Sequence, residues 1–221
     1  MKNIISFSLY GDKKLYPVGA LKNALLQKTV YPEWTCRFYV DDKVPKEVIE
    51  QLKDYGSEII EKGPSRNFIG SFWRYEVAFD PSVDRYAVRD CDSRLNDREY
   101  LAVKEWISEG TSFHIMRDHP NHLHVIMAGM WGGISGKVPE FEQIYTNYIK
   151  QSNGEFWSDM YFLETLLWDG YIKKNHTAHD EYFKPLGIEK PFPIKLVDEY
   201  SFVGNKYDEN DKPVYSVNRR D

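Results

Sequence analysis

The sequence predicts a single α/β domain over residues 1–221, built on a mostly parallel central sheet flanked by helices. Three observations carry this. Short apolar runs alternate with segments of helical periodicity through the first half of the chain, one such run leads straight into Asp90-Cys91-Asp92, and no repeat, low-complexity linker or shift in composition marks a domain boundary.

Residues 4–9 form a short apolar run ending at Tyr10-Gly11, which reads as a first strand. Residues 17–28 carry Val18, Leu21 and Leu25 on helical spacing, with Pro17 suited to a first turn. Residues 36–40 read as a second strand, 45–55 as a second helix and 58–61, after Gly56, as a third strand. A helical segment over 72–79 then precedes a strand over 86–88 that delivers the two aspartates. Ligands of such sheets are expected beyond the strands' carboxyl ends, where this pair lies. The second half predicts a helix over 98–109, a strand over 112–116 and a glycine-rich loop, GMWGGISGK, over 129–137. Two further helices are expected over 139–149 and 158–168, the second with Phe162, Leu163, Leu166 and Leu167 on one apolar face. From Lys190 onward the chain carries prolines at 191, 193 and 213 and a charge run, KYDENDK, that reads as a solvated loop.

Composition narrows the function classes. A net charge of -5 argues against a general grip on nucleic acid while leaving room for a local basic pocket. Cys36 and Cys91 are too few and too scattered for a disulfide framework or a cysteine zinc site, so a reducing, cytoplasmic setting is expected. The opening MKNIISFSLYGDKK has too short an apolar run for a membrane span and lacks a small-residue cleavage pattern.

Asp90-Cys91-Asp92 is the only D-x-D of the chain. In extended backbone, residues two apart point the same way, so both carboxylates face one spot, and a pair of hard oxygen ligands suits Mg²⁺ or Mn²⁺. HIMRDHPNH brings His114, Arg117, Asp118, His119 and His122 to the end of a predicted strand. Irregular spacing and the lack of an acidic or cysteine partner in register weigh against zinc there. Arg117 and Asp118 could grip a diphosphate and sugar hydroxyls, or form a plain surface salt bridge. Arg74, in FWRYE, could face a nucleotide or pair with Glu76 or another acid. Asp159 follows Ser158 at a helix start, as a helix-stabilising acid or as a general base. His176 and His179 are either ordinary histidines or metal ligands from a distant segment.

RDCDSRLNDRE, HIMRDHP, AGMWGG, SDMYFL and HDEYF, in this order, resemble the nucleotide-sugar glycosyltransferases of the GT-A fold, particularly the viral and bacterial group that includes chlorovirus glycosyltransferase domains. The resemblance covers nearly the whole chain and implies one Rossmann-like GT-A domain. It places a divalent ion, Mn²⁺ or Mg²⁺, between Asp92, Asp90 and the diphosphate of the donor, with His179 of HDEYF as a further metal ligand. Tyr10 and Gly11 match the region that receives the base. Arg74, Asp90, Arg117, Asp118, Trp131 and Gly132 are the other expected donor contacts. Asp159 matches the acid of a D-Q-x-F-L pattern in which Met160 here replaces the glutamine. The implied reaction is inverting transfer of a sugar from a UDP-sugar, with a GDP-sugar next, to a hydroxyl acceptor such as a glycan. The rival expectations are a sugar nucleotidyltransferase, for which SLYGDKK is a poor version of the glycine-rich basic loop, and a non-catalytic sugar- or nucleotide-binding module.

Overall fold

The computed structural model describes residues 1–218. Seven strands, β1 (Asn3–Leu9), β2 (Thr35–Val40), β3 (Glu58–Glu61), β4 (Arg85–Arg89), β5 (Phe113–Arg117), β6 (Trp131–Ile134) and β7 (His176–Asp180), form one sheet in the order β3-β2-β1-β4-β6-β5-β7. All run parallel except β6, which lies antiparallel between β4 and β5. Helices α1 (Leu15–Val30), α2 (Lys46–Asp54) and α3 (Asp97–Glu109) cover one face. A run of 3-10 turns over Asn67–Phe79, α4 (Phe141–Gln151) and α5 (Ser158–Phe162) cover the other. The expected α/β layering with a mostly parallel sheet is therefore present.

The period-2 alternation of β1 shows how the layers are joined. Ile5, Phe7 and Leu9 pack under the α1–α3 layer. Ser6 and Ser8 face the opposite layer, where their hydroxyls donate to the carbonyls of Arg74 (2.7 Å) and Ser71 (3.3 Å). A central strand thus spends two polar residues to hold the 3-10 segment, whose carbonyls would otherwise be buried without donors.

Several segments depart from the sequence reading or go beyond it, β7 among them. GMWGGISGK is not an open loop, because its centre is β6 inserted between two strands. A Cβ on Gly132 would lie 2.4 Å from the Tyr86 carbonyl oxygen, and one on Gly133 2.7 Å from the Tyr86 hydroxyl. The glycines serve strand-to-strand approach. The helix over 158–168 is α-helical only through Phe162 and widens to a π-helix over Leu163–Trp168. Its buried positions, Phe162 and Leu163 and then Leu167 and Trp168, repeat at five residues, and Leu166 is left 40% exposed. The tail is packed, with Phe192 and Val203 joining Ala102, Met116 and Met130 in a small core of their own. No helix among the described residues is long and apolar enough to cross a membrane. Both cysteines are free and buried.

Gly132→Ala should lower stability by about 1–3 kcal/mol through overpacking against β4. Urea unfolding read by far-UV circular dichroism checks this. An unchanged midpoint would mean that this strand approach is not tight.

Candidate active site

β4 ends at Arg89, and the D-x-D turn follows at the sheet's carboxyl edge. Its backbone is gripped at three points, two from α1 and one from the tail. Gly19 of α1 lies so close that a Cβ there would sit 1.8 Å from the Cys91 carbonyl oxygen. The buried Asn23 donates to the Ser93 carbonyl (2.9 Å) and accepts from the Leu95 N–H (3.0 Å). From the tail, the Tyr207 N–H donates to the Asp92 carbonyl at 2.7 Å. The buried face of α1 therefore carries Gly19, Ala20, Asn23 and Ala24, while Leu25, expected inside, is 44% exposed. Close approach to this turn requires small residues, which reverses the face suggested by the larger apolar ones.

Arg74 joins the turn to the second half of the chain. Its guanidinium pairs with Asp90 and, at 3.0 Å, with Asp159, the second residue of α5. The Arg74 side chain is 5% exposed, against 45% for Asp90 and 14% for Asp159. The two carboxylates thus open towards a cleft of about 580 Å³ that Tyr10, Arg74, Asp90, Asp92 and Asp159 all line. Burial, and then the negative charge of Asp90, push the Asp92 carboxyl up to about 6, against the pull of Lys206 and Arg74. Burial and the charges of Asp159 and Asp90 push the Tyr10 phenol up to about 12 in spite of Arg74, so it remains an O–H donor. Met160, in place of the glutamine, is buried in the apolar core and lines the cleft wall.

Several expected site residues lie elsewhere. His179 is fully buried on the α3 side of β7, its Nδ1 2.9 Å from His114 Nε2 and its Nε2 3.4 Å from Glu105. Asp90 faces the opposite side of the sheet, three strand spacings or roughly 14 Å away. His179 therefore does not join the aspartates, and His176 caps the Lys173 carbonyl instead. Arg117 is buried between Asp180 (2.6 Å) and Glu189 (3.1 Å). Asp118 accepts both arms of Arg98 at 2.7 Å together with the Val203 N–H at 2.9 Å. Neither has a face left for a diphosphate. Trp131 fills the core between Tyr75 and Tyr86, with ring centroids 5.6 and 5.4 Å away, and Gly132 abuts β4. Gly11 turns the chain after β1 at a φ of +80° and donates its N–H to Asp41 (2.9 Å), away from the cleft lining.

The cleft also contains groups that the sequence reading passed over. Lys206, the first residue of the run read as solvated, lines it, as do Lys13, Tyr16 and Tyr215. Arg94 pairs with Asp211 (2.8 Å) under the Tyr207 ring, and this clasp holds the tail against the D-x-D turn. An aromatic interleaved with charges, as in KYDENDK, was the available sign of packing. His122 lines the cleft as a neutral ring, pushed down to about 3 by burial and by His119, and its Nδ1 accepts from the Asp118 N–H (3.1 Å).

This arrangement defines a class of scaffold. The chain is similar to the 4-diphosphocytidyl-2C-methyl-D-erythritol synthase of Anaerococcus prevotii, with 12% identity, a TM-score of 0.52, and 82% of this chain and 90% of that one covered. It is also similar, at a TM-score of 0.49 and 10% identity over 87% of this chain and 91% of the other, to a glycosyltransferase involved in the glycosylation of the major capsid of PBCV-1. No protein-family model and no curated protein matches the chain. The fold is the GT-A-type scaffold that nucleotidyl- and glycosyltransferases share.

Asp92→Asn should stabilise the protein at pH 7.5 by about 1–3 kcal/mol, because it removes a carboxylate held at unfavourable charge. A carboxyl raised from 3.8 to about 6 on folding destabilises the fold above pH 6, and this cost fades as pH falls towards 4. Urea midpoints of the two proteins should therefore converge in acid. A stability loss at pH 7.5 would contradict this electrostatic picture.

Proposed function

We propose that the chain is a divalent-metal-dependent glycosyltransferase that moves a sugar from a nucleotide-sugar, a UDP-sugar ahead of a GDP-sugar, to a hydroxyl of a glycan with inversion. The observation that carries this reading is the convergence of Asp90, Asp92 and Asp159 in one cleft at the carboxyl edge of the sheet. Inverting transfer needs an anion-holding side and a separate carboxylate on the acceptor side, and two elements supply them here.

The donor set fits Mg²⁺ or Mn²⁺. Asp90 exposes nearly half its side chain, and Asp92 carries charge that burial disfavours, so these two residues would hold the cation and its charge would relieve both. Among the described residues no group of three or more metal-binding side chains occurs, and two carboxylates completed by diphosphate oxygens and water is a usual Mg²⁺ arrangement. When bound, the ion supplies charge neutralisation at the diphosphate. Arg74 and Lys206 add fixed positive charge beside it, and Tyr10 offers an O–H donor to the nucleotide. The acceptor hydroxyl gives its proton to Asp159 while its oxygen bonds to the anomeric carbon and the sugar–phosphate bond breaks on the opposite face.

Nucleotidyl transfer on the same scaffold needs free backbone N–H groups on a glycine-rich loop after β1. Here residues 10–14 hold one glycine, and its N–H is spent on Asp41.

Calorimetry with UDP should show binding that collapses when Mn²⁺ is chelated. Asp159→Asn should keep that binding and lower transfer by roughly 10²-fold or more. Metal-independent UDP affinity, or near-normal turnover in the variant, would remove the respective assignment. NMR of the parent enzyme's product should report an inverted anomeric centre.

A further inference from the structure

We propose that the Phe156–Trp157 ridge and the cavity behind it form an acceptor subsite for a glycan of at least two pyranose rings. The inference rests on the glycosyltransferase reading of the neighbouring cleft and deepens it by defining the acceptor.

A second cavity of about 350 Å³ opens beside the main cleft, lined in part by Tyr148, Asn153, Ser158 and Tyr161, and it shares Phe156 with the cleft. Consecutive residues of α5 face the two spaces, Ser158 the cavity and Asp159 the cleft. A ligand that offers a hydroxyl to Asp159 and also fills the 350 Å³ cavity must cross the shared Phe156 and occupy both spaces, which calls for more than one ring.

The ridge is aromatic and open. Phe156 is 60% exposed, Trp157 51% and Tyr161 60%, a concentration of large rings in water that calls for a partner. Phe156 packs edge-on against Phe68 (5.3 Å) and Trp157 (4.6 Å), and Trp157 stacks on His124 (6.1 Å), so the rings are held in place before any ligand arrives. Ring faces carry negative charge density that attracts the polarised C–H groups of a pyranose face. Trp157 adopts a φ of +71°, unfavourable for a residue with a Cβ. Strain retained beside a reactive group points to a positional demand on that side chain.

The cavity floor argues for a hydroxylated occupant. Tyr148, Gln151, Ser152, Asn153, Glu155 and Tyr161 bring polar groups to its wall. Tyr148 Oη is spent on the Ser158 carbonyl (3.0 Å), which leaves Gln151, Asn153 and Glu155 of the wall to meet a ligand. An apolar side chain from a protein partner or a second copy would bury these polar groups without partners, which is unfavourable, whereas sugar hydroxyls satisfy them.

The test uses the full chain with UDP and Mn²⁺ and a panel of mono- to tetrasaccharides of the common hexopyranoses, read by saturation-transfer NMR and titration. At least one oligosaccharide should bind about tenfold or more tightly than its own terminal monosaccharide. Phe156→Ser and Trp157→Gly should each abolish that preference. Trp157→Gly should fold with a thermal midpoint at least as high as the parent, because glycine accepts the positive φ, so its lost binding cannot be ascribed to unfolding. Equal binding of mono- and oligosaccharides overturns the subsite, as does a preference that survives both substitutions. A dimer in sedimentation that Phe156→Ser dissolves would assign the ridge to a second copy and also overturns it. UDP binding without any oligosaccharide preference refutes the subsite alone, whereas a parent protein that binds no nucleotide refutes the glycosyltransferase reading beneath it.

Discussion

A single buried guanidinium organises the candidate site. Arg74 lies within the layer opposite α1–α3, its backbone N–H donating to Ser8 Oγ (3.0 Å) and its carbonyl accepting from the Ser6 hydroxyl (2.7 Å), so β1 sets where the side chain starts. From there it reaches Asp90 beyond β4 and Asp159 at the start of α5. A cation that deep is tolerable only with counter-charges and hydrogen bonds around it, and removing its partners costs more than their attraction alone would indicate. The two carboxylates are therefore placed by the need of Arg74 for company. The cleft between them is the space left on their exposed sides.

Other arginines around the sheet meet the same constraint differently. Arg89 pairs with Glu99 at 3.1 Å beneath α3, Arg98 with Asp118, and Arg117 with Asp180 and Glu189, all largely sealed from water. These pairs consume both partners and leave nothing for a ligand. In the cleft the balance is incomplete. Asp92 carries a charge that burial and Asp90 oppose, and Lys206 faces it from the tail. Unspent charge of both signs separates the cleft from the structural ion pairs and makes it suited to an anionic donor with a cation.

The strand–helix alternation of the first half was legible because apolar periodicity survives wherever a strand is buried on both faces. The D-x-D turn also follows from its strand-end position, whereas the grouping of Tyr10 and Asp159 with it rests on the resemblance to the GT-A glycosyltransferases. What escaped depends on depth and partner, which residue type does not encode. Arg117 and Asp118 look alike as surface grips and as buried pairs. His179 lies on β7, where period-2 alternation turns it to the α3 face, and an unrecognised strand hides that turn. GMWGG reads as a loop because glycine signals both free turns and close strand approach. The tail was read by its charges, whereas Phe192, Phe202 and Val203 determine where it lies.

The most direct test is a urea-unfolding cycle on Asp90→Asn and Asp159→Asn, singly and together, in the parent and in an Arg74→Met background. With Arg74 present, each single change should destabilise, and the double change should cost more than their sum, because the buried guanidinium then loses its last counter-charge. With methionine at 74, the same changes should be neutral or stabilising, since only repulsion between the carboxylates remains to be relieved. Additive losses of equal size in both backgrounds would show that Arg74 does not hold the two halves of the site together.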